Sequence, residues 1–175
     1  MYNDYLESPL GLIEFKASEV GITQLIFCGQ QTTAIKANDL TRECQTQLKD
    51  YFAGKLTQFS LSLDIKGTEF QKKVWQLLQQ VAYGQTISYM DIADRLNNPK
   101  AVRAVGGANG RNPITLILPC HRVIGSNGRL TGYAGGTARK KWLLQHEGVK
   151  LNQEKTSQSL PDIIHQRQDK TQFLQ

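Results

Sequence analysis

Residues 88–108 are SYMDIADRLNNPKAVRAVGGA, and this stretch decides the fold of the C-terminal half of the chain. Ser88 is a good helix N-cap, and Asp91 three residues later completes a capping box. Residues 97–99 form a turn that ends in proline, which suits the first turn of a second helix over residues 100–108. Two short helices joined by a tight turn indicate a helix-turn-helix, although many helical hairpins share this pattern.

Positive charge is concentrated in the same half of the chain. Residues 67–148 carry 11 Lys or Arg against 4 Asp or Glu, whereas residues 1–66 carry 6 against 8. Residues 100–141 hold eight basic side chains and no acidic one. Because a solvated basic face normally mixes both signs, this imbalance favours a polyanionic partner such as DNA.

The N-terminal third is predicted to be a small sheet with one covering helix. Residues 10–17 and 22–28 are rich in β-branched and aromatic residues and predict two strands. Apolar residues at helical spacing predict a helix over 40–52, which Gly54 ends. Alternation over residues 59–65 predicts a half-buried strand. The expected fold class is therefore α+β.

We expect three segments along the chain. Residues 1–66 form an α/β scaffold domain, and residues 67–149 form a DNA-binding domain. The first helix of that domain starts at Thr68 or Gly67 and ends at Gly84. Residues 150–175 are rich in Gln, Lys, Asp and Ser, which predicts a flexible tail.

The composition excludes several classes of protein. The 175 residues contain no apolar run near the length of a membrane span and no secretory signal, so we expect a cytoplasmic protein without membrane contact. Cys28, Cys44 and Cys120 form no CxxC pair, and we expect no metal and no cofactor. A bridge between Cys28 and Cys44 is one alternative, and two buried free thiols are the favoured one.

One segment carries the residues of a reactive cysteine. Residues 112–122 are NPITLILPCHR, an apolar strand-like run that proline stops just before the cysteine. A free thiol is only slightly ionised at neutral pH, and it becomes nucleophilic beside positive charge and a base. His121 and Arg122 supply both, although along a strand His121 would face away from Cys120, so a turn or a bridging water is needed. The alternative is that Cys120 is a buried core thiol.

After this segment the sequence predicts a glycine-rich loop followed by a short helix. A loop around Arg129 and Tyr133 either lets backbone approach a ligand closely or is plain surface. Residues 140–147 predict a helix that ends at Gly148. Glu147 is disfavoured by the helix dipole at that end, so we expect a partner to hold it. The loop's glycines are Gly125, Gly128, Gly132, Gly135 and Gly136.

Three motifs in order resemble the O6-alkylguanine-DNA alkyltransferase family. They are RAVG at 103–106, PCHRV at 119–123 and GYAGG at 132–136. The resemblance runs from about Phe70 to Glu147 and extends more loosely over the N-terminal domain. It implies a ribonuclease H-like N-terminal domain, followed by a winged helix-turn-helix-like domain that binds DNA and carries the catalytic residues.

The resemblance also implies a methylated-DNA–protein-cysteine S-methyltransferase. Cys120 would accept the alkyl group of O6-alkylguanine, and also that of O4-alkylthymine. His121 would take the thiol proton through a water, Glu147 would orient His121, and Asn112 would brace the active-site turn. The product is a stable thioether, so each protein molecule would act once, as a monomer.

DNA binding is implied to occur through the minor groove without sequence specificity. The helix that enters the groove would run from Ala101 to about Asn109 and include Gly106. Arg103 would fill the space that a flipped base leaves in the duplex, or alternatively contact a phosphate. Tyr89 would hydrogen-bond the flipped base, or alternatively belong to the core of the first helix.

The guanine pocket is implied to be lined by backbone groups of Cys120, Val123, Tyr133 and Ala134, with the Tyr133 side chain as one wall and Lys140 near the loop. Several relatives carry serine where this chain has Ala134, so here only the backbone donor remains.

Other protein classes fit the residues less well. An alkyltransferase-like sensor lacks the nucleophile that Cys120 supplies. A papain-like hydrolase leaves the basic helix-turn-helix unexplained, and a transcription regulator leaves Cys120 and Glu147 without a role.

Overall fold

The computed structural model describes residues 1–151, so most of the predicted tail, residues 152–175, lies outside the described part. The chain divides into two compact units. The first contains Met1–Gly67 and Pro113–Ile117, and the second contains Thr68–Asn112 and the chain from Leu118 onward. The predicted domain boundaries at 66/67 and 149/150 stay predictions.

The first unit is a three-stranded antiparallel sheet with one helix, as expected. Its strands β1 (Tyr2–Ser8), β2 (Gly11–Ala17) and β3 (Ile22–Phe27) pair in chain order, and α1 spans Asp39–Phe52. The sequence did not predict β1, because its buried positions include the polar Asn3 and Asp4, which obscure the apolar pattern of a strand. Helix α1 ends before Gly54, whose φ of +78° explains the predicted stop.

The predicted strand over residues 59–65 is wrong. Among these residues only Leu63 forms a bridge, parallel to Ile22, although exposure alternates over residues 59–63 as expected. The ladder does not extend because another segment takes the next place along β3. The Leu25 amide donates to the Pro113 carbonyl, and the Thr115 amide donates to the Leu25 carbonyl.

The second unit is mainly helical. Its elements in chain order are α2 (Glu69–Leu78), β4 (Ile87–Ser88), α3 (Tyr89–Arg95), a 3-10 turn (Pro99–Ala101), α4 (Val102–Gly110), a 3-10 turn (Cys120–Arg122), β5 (Val123–Ile124) and α5 (Thr137–His146). Strands β4 and β5 pair in parallel. The described residues include no helix long and apolar enough to cross a membrane.

The predicted caps start the first two helices of this unit. Thr68 caps α2, and Ser88 caps α3 in a capping box with Asp91. The predicted end of α2 at Gly84 is wrong, since the helix stops at Leu78. The chain tightens there, because the Val81 amide donates to the carbonyl of Leu78, three residues back.

Helices α3 and α4 form the predicted helix-turn-helix. The Trp75 indole of α2 donates a 2.8 Å hydrogen bond to the Ala108 carbonyl, which ties α4 to α2. Ile92 of α3 and Val105 of α4 are fully buried, and Asn97 turns the chain between the helices with a φ of +57°. The fold class inferred from the sequence is confirmed.

The predicted strand before the cysteine is also wrong. Leu116, which is buried, has a φ of +74°, a conformation that bends the chain and prevents a strand. A 3-10 turn follows, and Cys120 is its first residue. Helix α5 begins at Thr137, three residues earlier than predicted, because Gly136 with a φ of +93° provides the turn before it.

Candidate active site

Cys120 lies in a turn that backbone and amide hydrogen bonds hold rigidly. The thiol residue is 3% exposed. The Leu118 carbonyl accepts from the Cys120 amide at 2.7 Å and from Asn112 Nδ2 at 2.6 Å. Asn109 Nδ2 donates to the Cys120 carbonyl at 3.4 Å. Two buried asparagines therefore fix the backbone on either side of the cysteine.

His121, Glu147 and Arg122 form a buried network directly after the cysteine. His121 Nε2 lies 2.7 Å from Glu147 Oε2. Arg122 donates from Nε to Glu147 Oε1 at 2.8 Å and from Nη2 to Oε2 at 3.0 Å. The side chains of His121 and Glu147 are completely buried. The partners of Glu147 at the end of α5 are thus the Arg122 guanidinium and the His121 ring.

Burial and charge shift the pKa of both titratable groups in this network. Burial lowers the pKa of His121, Glu147 raises it, and the charges of Arg122 and Lys140 lower it, so that the net direction is downward from 6.5. Burial alone would raise the pKa of Glu147, but His121 and Arg122 outweigh it and hold that pKa far below its ordinary value. The site therefore favours a neutral imidazole beside an ionised carboxylate.

A second cluster joins the helix-turn-helix to the glycine-rich loop. The Thr131 carbonyl accepts the Tyr89 hydroxyl at 2.6 Å and Lys140 Nζ at 2.7 Å. Gly132 has a φ of +72°, and a Cβ there would lie 2.7 Å from the Tyr89 hydroxyl. This position requires glycine both for its backbone conformation and for the room that Tyr89 needs.

Lys140 is fully buried, which is rare for a lysine. Burial lowers its pKa to about 7, opposed by its charge interaction with Cys120. Burial raises the pKa of Tyr89 to about 12, and Cys120 adds to that rise. These couplings place Lys140 and Tyr89 in the electrostatic surroundings of the cysteine.

The remaining predicted site residues lie on two other parts of the second unit. Ala101 ends a 3-10 turn, Arg103 is exposed in the first turn of α4, and Gly106 is half-buried in the same helix. Val123 is buried in β5, where the chain leaves the cysteine turn. In the loop, Tyr133 is buried and Ala134 is exposed. Arg103 takes part in none of the hydrogen bonds described above.

Two family models match nearly the whole described chain. A 6-O-methylguanine DNA methyltransferase ribonuclease-like domain matches residues 1–65, and the DNA-binding domain of the same family matches residues 69–149. The chain belongs to the 6-O-methylguanine DNA methyltransferase family. The resemblance that PCHRV at 119–123 carried is thereby confirmed.

Individual members of this family are similar to the chain over most of its length. The methylated-DNA–protein-cysteine methyltransferase of Methanosarcina mazei is 47% identical over 84% of this chain and 97% of its own. That of Mycolicibacterium paratuberculosis is 45% identical over 81% and 89%. Mycobacterium tuberculosis OGT, solved in complex with DNA, is 43% identical with a TM-score of 0.78, and the match covers 84% and 92% of the two chains. The predicted enzyme class is confirmed.

Sequence reasoning missed three features of this methyltransferase-family site. Asn109 was one residue in a predicted helix, and its burial follows only from how α4 packs. Thr131 acts through its carbonyl, which any residue type would supply. Arg122 was expected to act as a positive charge beside the thiol, whereas it is 7% exposed and pairs with Glu147. Its position in the PCHR motif was the available signal.

Proposed function

We propose that this chain repairs DNA by transferring the alkyl group of O6-alkylguanine to Cys120. The observation that carries the proposal is the buried arrangement of Cys120, His121 and Glu147 in a member of this family. The solved complex of Mycobacterium tuberculosis OGT with DNA supports duplex DNA as the substrate. The activity on O4-alkylthymine is part of the same proposal.

The transfer proceeds by displacement at carbon. His121 Nδ1 is buried and has no hydrogen-bond partner among the described residues, so it is the nitrogen available to take the Cys120 proton through a water. The sulfur then attacks the alkyl carbon, and the bond from that carbon to O6 breaks. Its electron pair stays with guanine, which takes one proton back, so the proton count balances.

The product of this reaction is a thioether. Unlike the acyl-enzyme of a hydrolase, a thioether has no carbonyl for water to attack, so Cys120 is not regenerated. Each protein molecule therefore repairs one lesion. The account requires no cofactor and no metal, and the described residues contain no group of three or more His, Cys, Asp and Glu side chains that could hold a metal ion.

Access to the alkyl group requires the base to leave the duplex. Helix α4, starting after Ala101 and including Gly106, enters the minor groove, and the exposed Arg103 fills the vacated position in the stack. Contacts to phosphates rather than base edges make the binding independent of sequence. Six of the eight basic residues between 100 and 141 support this surface, because only Arg122 and Lys140 among them are buried.

The flipped guanine occupies a pocket beside the cysteine turn. Val123, Tyr133 and the Ala134 backbone line it. Tyr89 hydrogen-bonds the base. Lys140 holds the glycine-rich loop through its hydrogen bond to the Thr131 carbonyl. Asn112 keeps the turn in place. We propose that the protein acts as a monomer in the cytoplasm.

The test is the mass of the intact protein after incubation with a duplex that carries one O6-methylguanine. The proposal expects one added methyl group per protein, however large the excess of DNA. Cys120→Ala should bind the same duplex and gain no mass. A sensor would bind without any mass change in the unaltered protein, and that result would overturn the proposal.

A further inference from the structure

We propose that Arg122 keeps His121 in the neutral form that can accept the Cys120 proton. It does so by forming an ion pair with Glu147, which offsets the negative charge that would otherwise favour the imidazolium. The inference rests on the proposed alkyl transfer and adds a positioning residue to it. Arg122 itself touches neither the thiol nor the base in this account.

Arg122 is fixed in place by four contacts. Two of its hydrogen bonds go to the Glu147 carboxylate, one to each oxygen. Its Nη1 donates to the Val81 carbonyl at 2.7 Å, and its guanidinium carbon lies 5.9 Å from the centre of the Tyr83 ring. A planar guanidinium held in a fork on a carboxylate is a stable ion pair. Lysine could not reproduce this geometry.

The carboxylate is therefore shared between the Arg122 guanidinium and the His121 ring. Glu147 Oε2 accepts a hydrogen bond from Arg122 Nη2 and also lies 2.7 Å from His121 Nε2. A buried carboxylate that faced His121 alone would strongly favour the imidazolium, because opposite charges attract strongly where water is excluded. Pairing with Arg122 makes the carboxylate and guanidinium together electrically neutral.

The charges that face His121 act in the direction that the proposal requires. Glu147 raises its pKa, whereas burial, Arg122 and Lys140 lower it, and the lowering effects prevail. A neutral imidazole that donates from Nε2 to Glu147 keeps its lone pair on Nδ1. An imidazolium carries a proton on both nitrogens and cannot act as a base.

Arg122 also has a purely structural alternative, namely that it ties Glu147 of the α5 end to the segment at Val81. The two roles differ in one measurable quantity. A structural tie affects activity equally at every pH, whereas control of the His121 charge shifts the pH dependence.

The experiment compares three variants with the unaltered full chain: Arg122→Met, Arg122→Lys, and the double variant Arg122→Met with Glu147→Gln. Ring-labelled histidine is titrated by NMR, and the single-turnover rate of methyl transfer from an O6-methylguanine duplex is measured across the same pH range. Amide chemical shifts of each variant, compared with those of the unaltered chain, are the control for correct folding.

Arg122→Met should raise the titration midpoint of His121 by at least about one pH unit, which leaves about tenfold less neutral imidazole at any pH well below both midpoints. The acid limb of the rate profile should move by the same amount, so that the rate recovers as the pH is raised. Arg122→Lys should give a smaller shift in the same direction.

The double variant removes the carboxylate as well, and the His121 midpoint should return to its original value or lower. It also keeps the test available if Arg122→Met fails to fold, because no unpaired buried carboxylate remains. An unchanged His121 midpoint with an equal loss of rate at every pH would overturn the inference. Since the NMR titration does not depend on methyl transfer, failure of the proposed function would be seen separately.

Discussion

The two units each bury a cysteine, and the two cysteines differ in the charges around them. Cys44 on α1 is 0% exposed, and burial together with the charge of Asp4 raises its pKa to about 12. Cys120 is nearly as buried at 3%, but it has charge interactions with Lys140 and directly precedes His121. Burial by itself makes a thiol inert, so the surrounding basic groups are what distinguish the proposed acceptor from a core cysteine.

The buried carboxylates of the two units show the same difference. Glu14 of the first unit accepts the Tyr5 hydroxyl at 2.9 Å, a neutral partner. Glu147 of the second unit is held by Arg122 and His121, both of which can carry positive charge. The buried Glu14 is thus satisfied by hydroxyl groups, those of Tyr5 and Thr33. The second concentrates groups that can exchange protons.

Substituting the two cysteines one at a time is expected to give the largest effect of this difference. Cys120→Ala should abolish methyl transfer completely, because the nucleophile is gone, while DNA binding remains. Cys44→Ala is the matched control, an equal truncation in an equally buried position, and it should leave the transfer rate of the folded protein unchanged. Quench-flow with a labelled duplex measures both. Loss of transfer in folded Cys44→Ala would contradict the comparison.

A substitution of Arg103 can separate base flipping from the alkyl transfer itself. Because flipping a base costs a few kcal/mol, losing the side chain that replaces it should slow repair of duplex DNA roughly a hundredfold. Reaction with free O6-benzylguanine should remain within about twofold, since no flipping is needed. Lys49→Ala, at an exposed basic residue of α1 in the first unit, is the control and should affect both substrates little. Equal slowing of both reactions by Arg103→Ala would remove the flipping role.

Lys140 is a buried basic residue with a charge interaction to Cys120, whereas the charge that acts on Cys44 is the negative one of Asp4. The folded state lowers the pKa of Lys140 to about 7 from 10.5. Between these two values the unfolded chain binds a proton that the folded protein does not, so the stability of the protein relative to Lys140→Met should rise with pH. The total rise should be roughly a few kcal/mol, at about 1.4 kcal/mol per pKa unit. Urea unfolding from pH 7 to 9.5 measures it.

Lys141→Met is the control for this pH dependence. Lys141 follows Lys140 on α5 but is only partly buried, so its substitution should leave the slope of stability against pH as it is. The same slope in the protein and in Lys140→Met would contradict a lowered Lys140 pKa.

The smallest expected effect is on the rigidity of the cysteine turn. Asn112→Ala removes one buried hydrogen bond to the Leu118 carbonyl, which still accepts from the Cys120 amide, so the cost should be about 1 kcal/mol. Transfer should slow by more than the loss of stability explains, because the thiol is less well placed. Asn98→Ala, an exposed position in the helix-turn-helix, should leave both quantities unchanged.

The sequence predicted those parts of the fold that depend on local signals. Ser88 with Asp91, Thr68 and Gly54 act through neighbours a few residues away, so their caps and stops were correct. Strand β1 and the segment over residues 59–65 depend on which distant edge pairs with them, and these were missed or wrong. A strand is specified by its partner as much as by its own residues.

In the candidate site, too, the residues with local sequence signals were predicted and those defined by distant contacts were not. The adjacent residues Cys120 and His121 were found from their motif, and Glu147 from its unfavourable place at a helix end. Arg122 was noticed but assigned to the wrong neighbour, since its partner lies 25 residues away. The roles of Asn109 and of the Thr131 carbonyl follow only from tertiary packing.

The most direct test of the account is to map methylation onto all three cysteines after reaction with an O6-methylguanine duplex. Peptide mass spectrometry should find one methyl group per protein on Cys120 and none on Cys44 or Cys28, at any excess of DNA. Cys28, which is partly exposed, shows whether accessibility alone is enough. Methyl groups on Cys28 or Cys44, or more than one per protein, would contradict the claim that the groups around Cys120 select it as the acceptor.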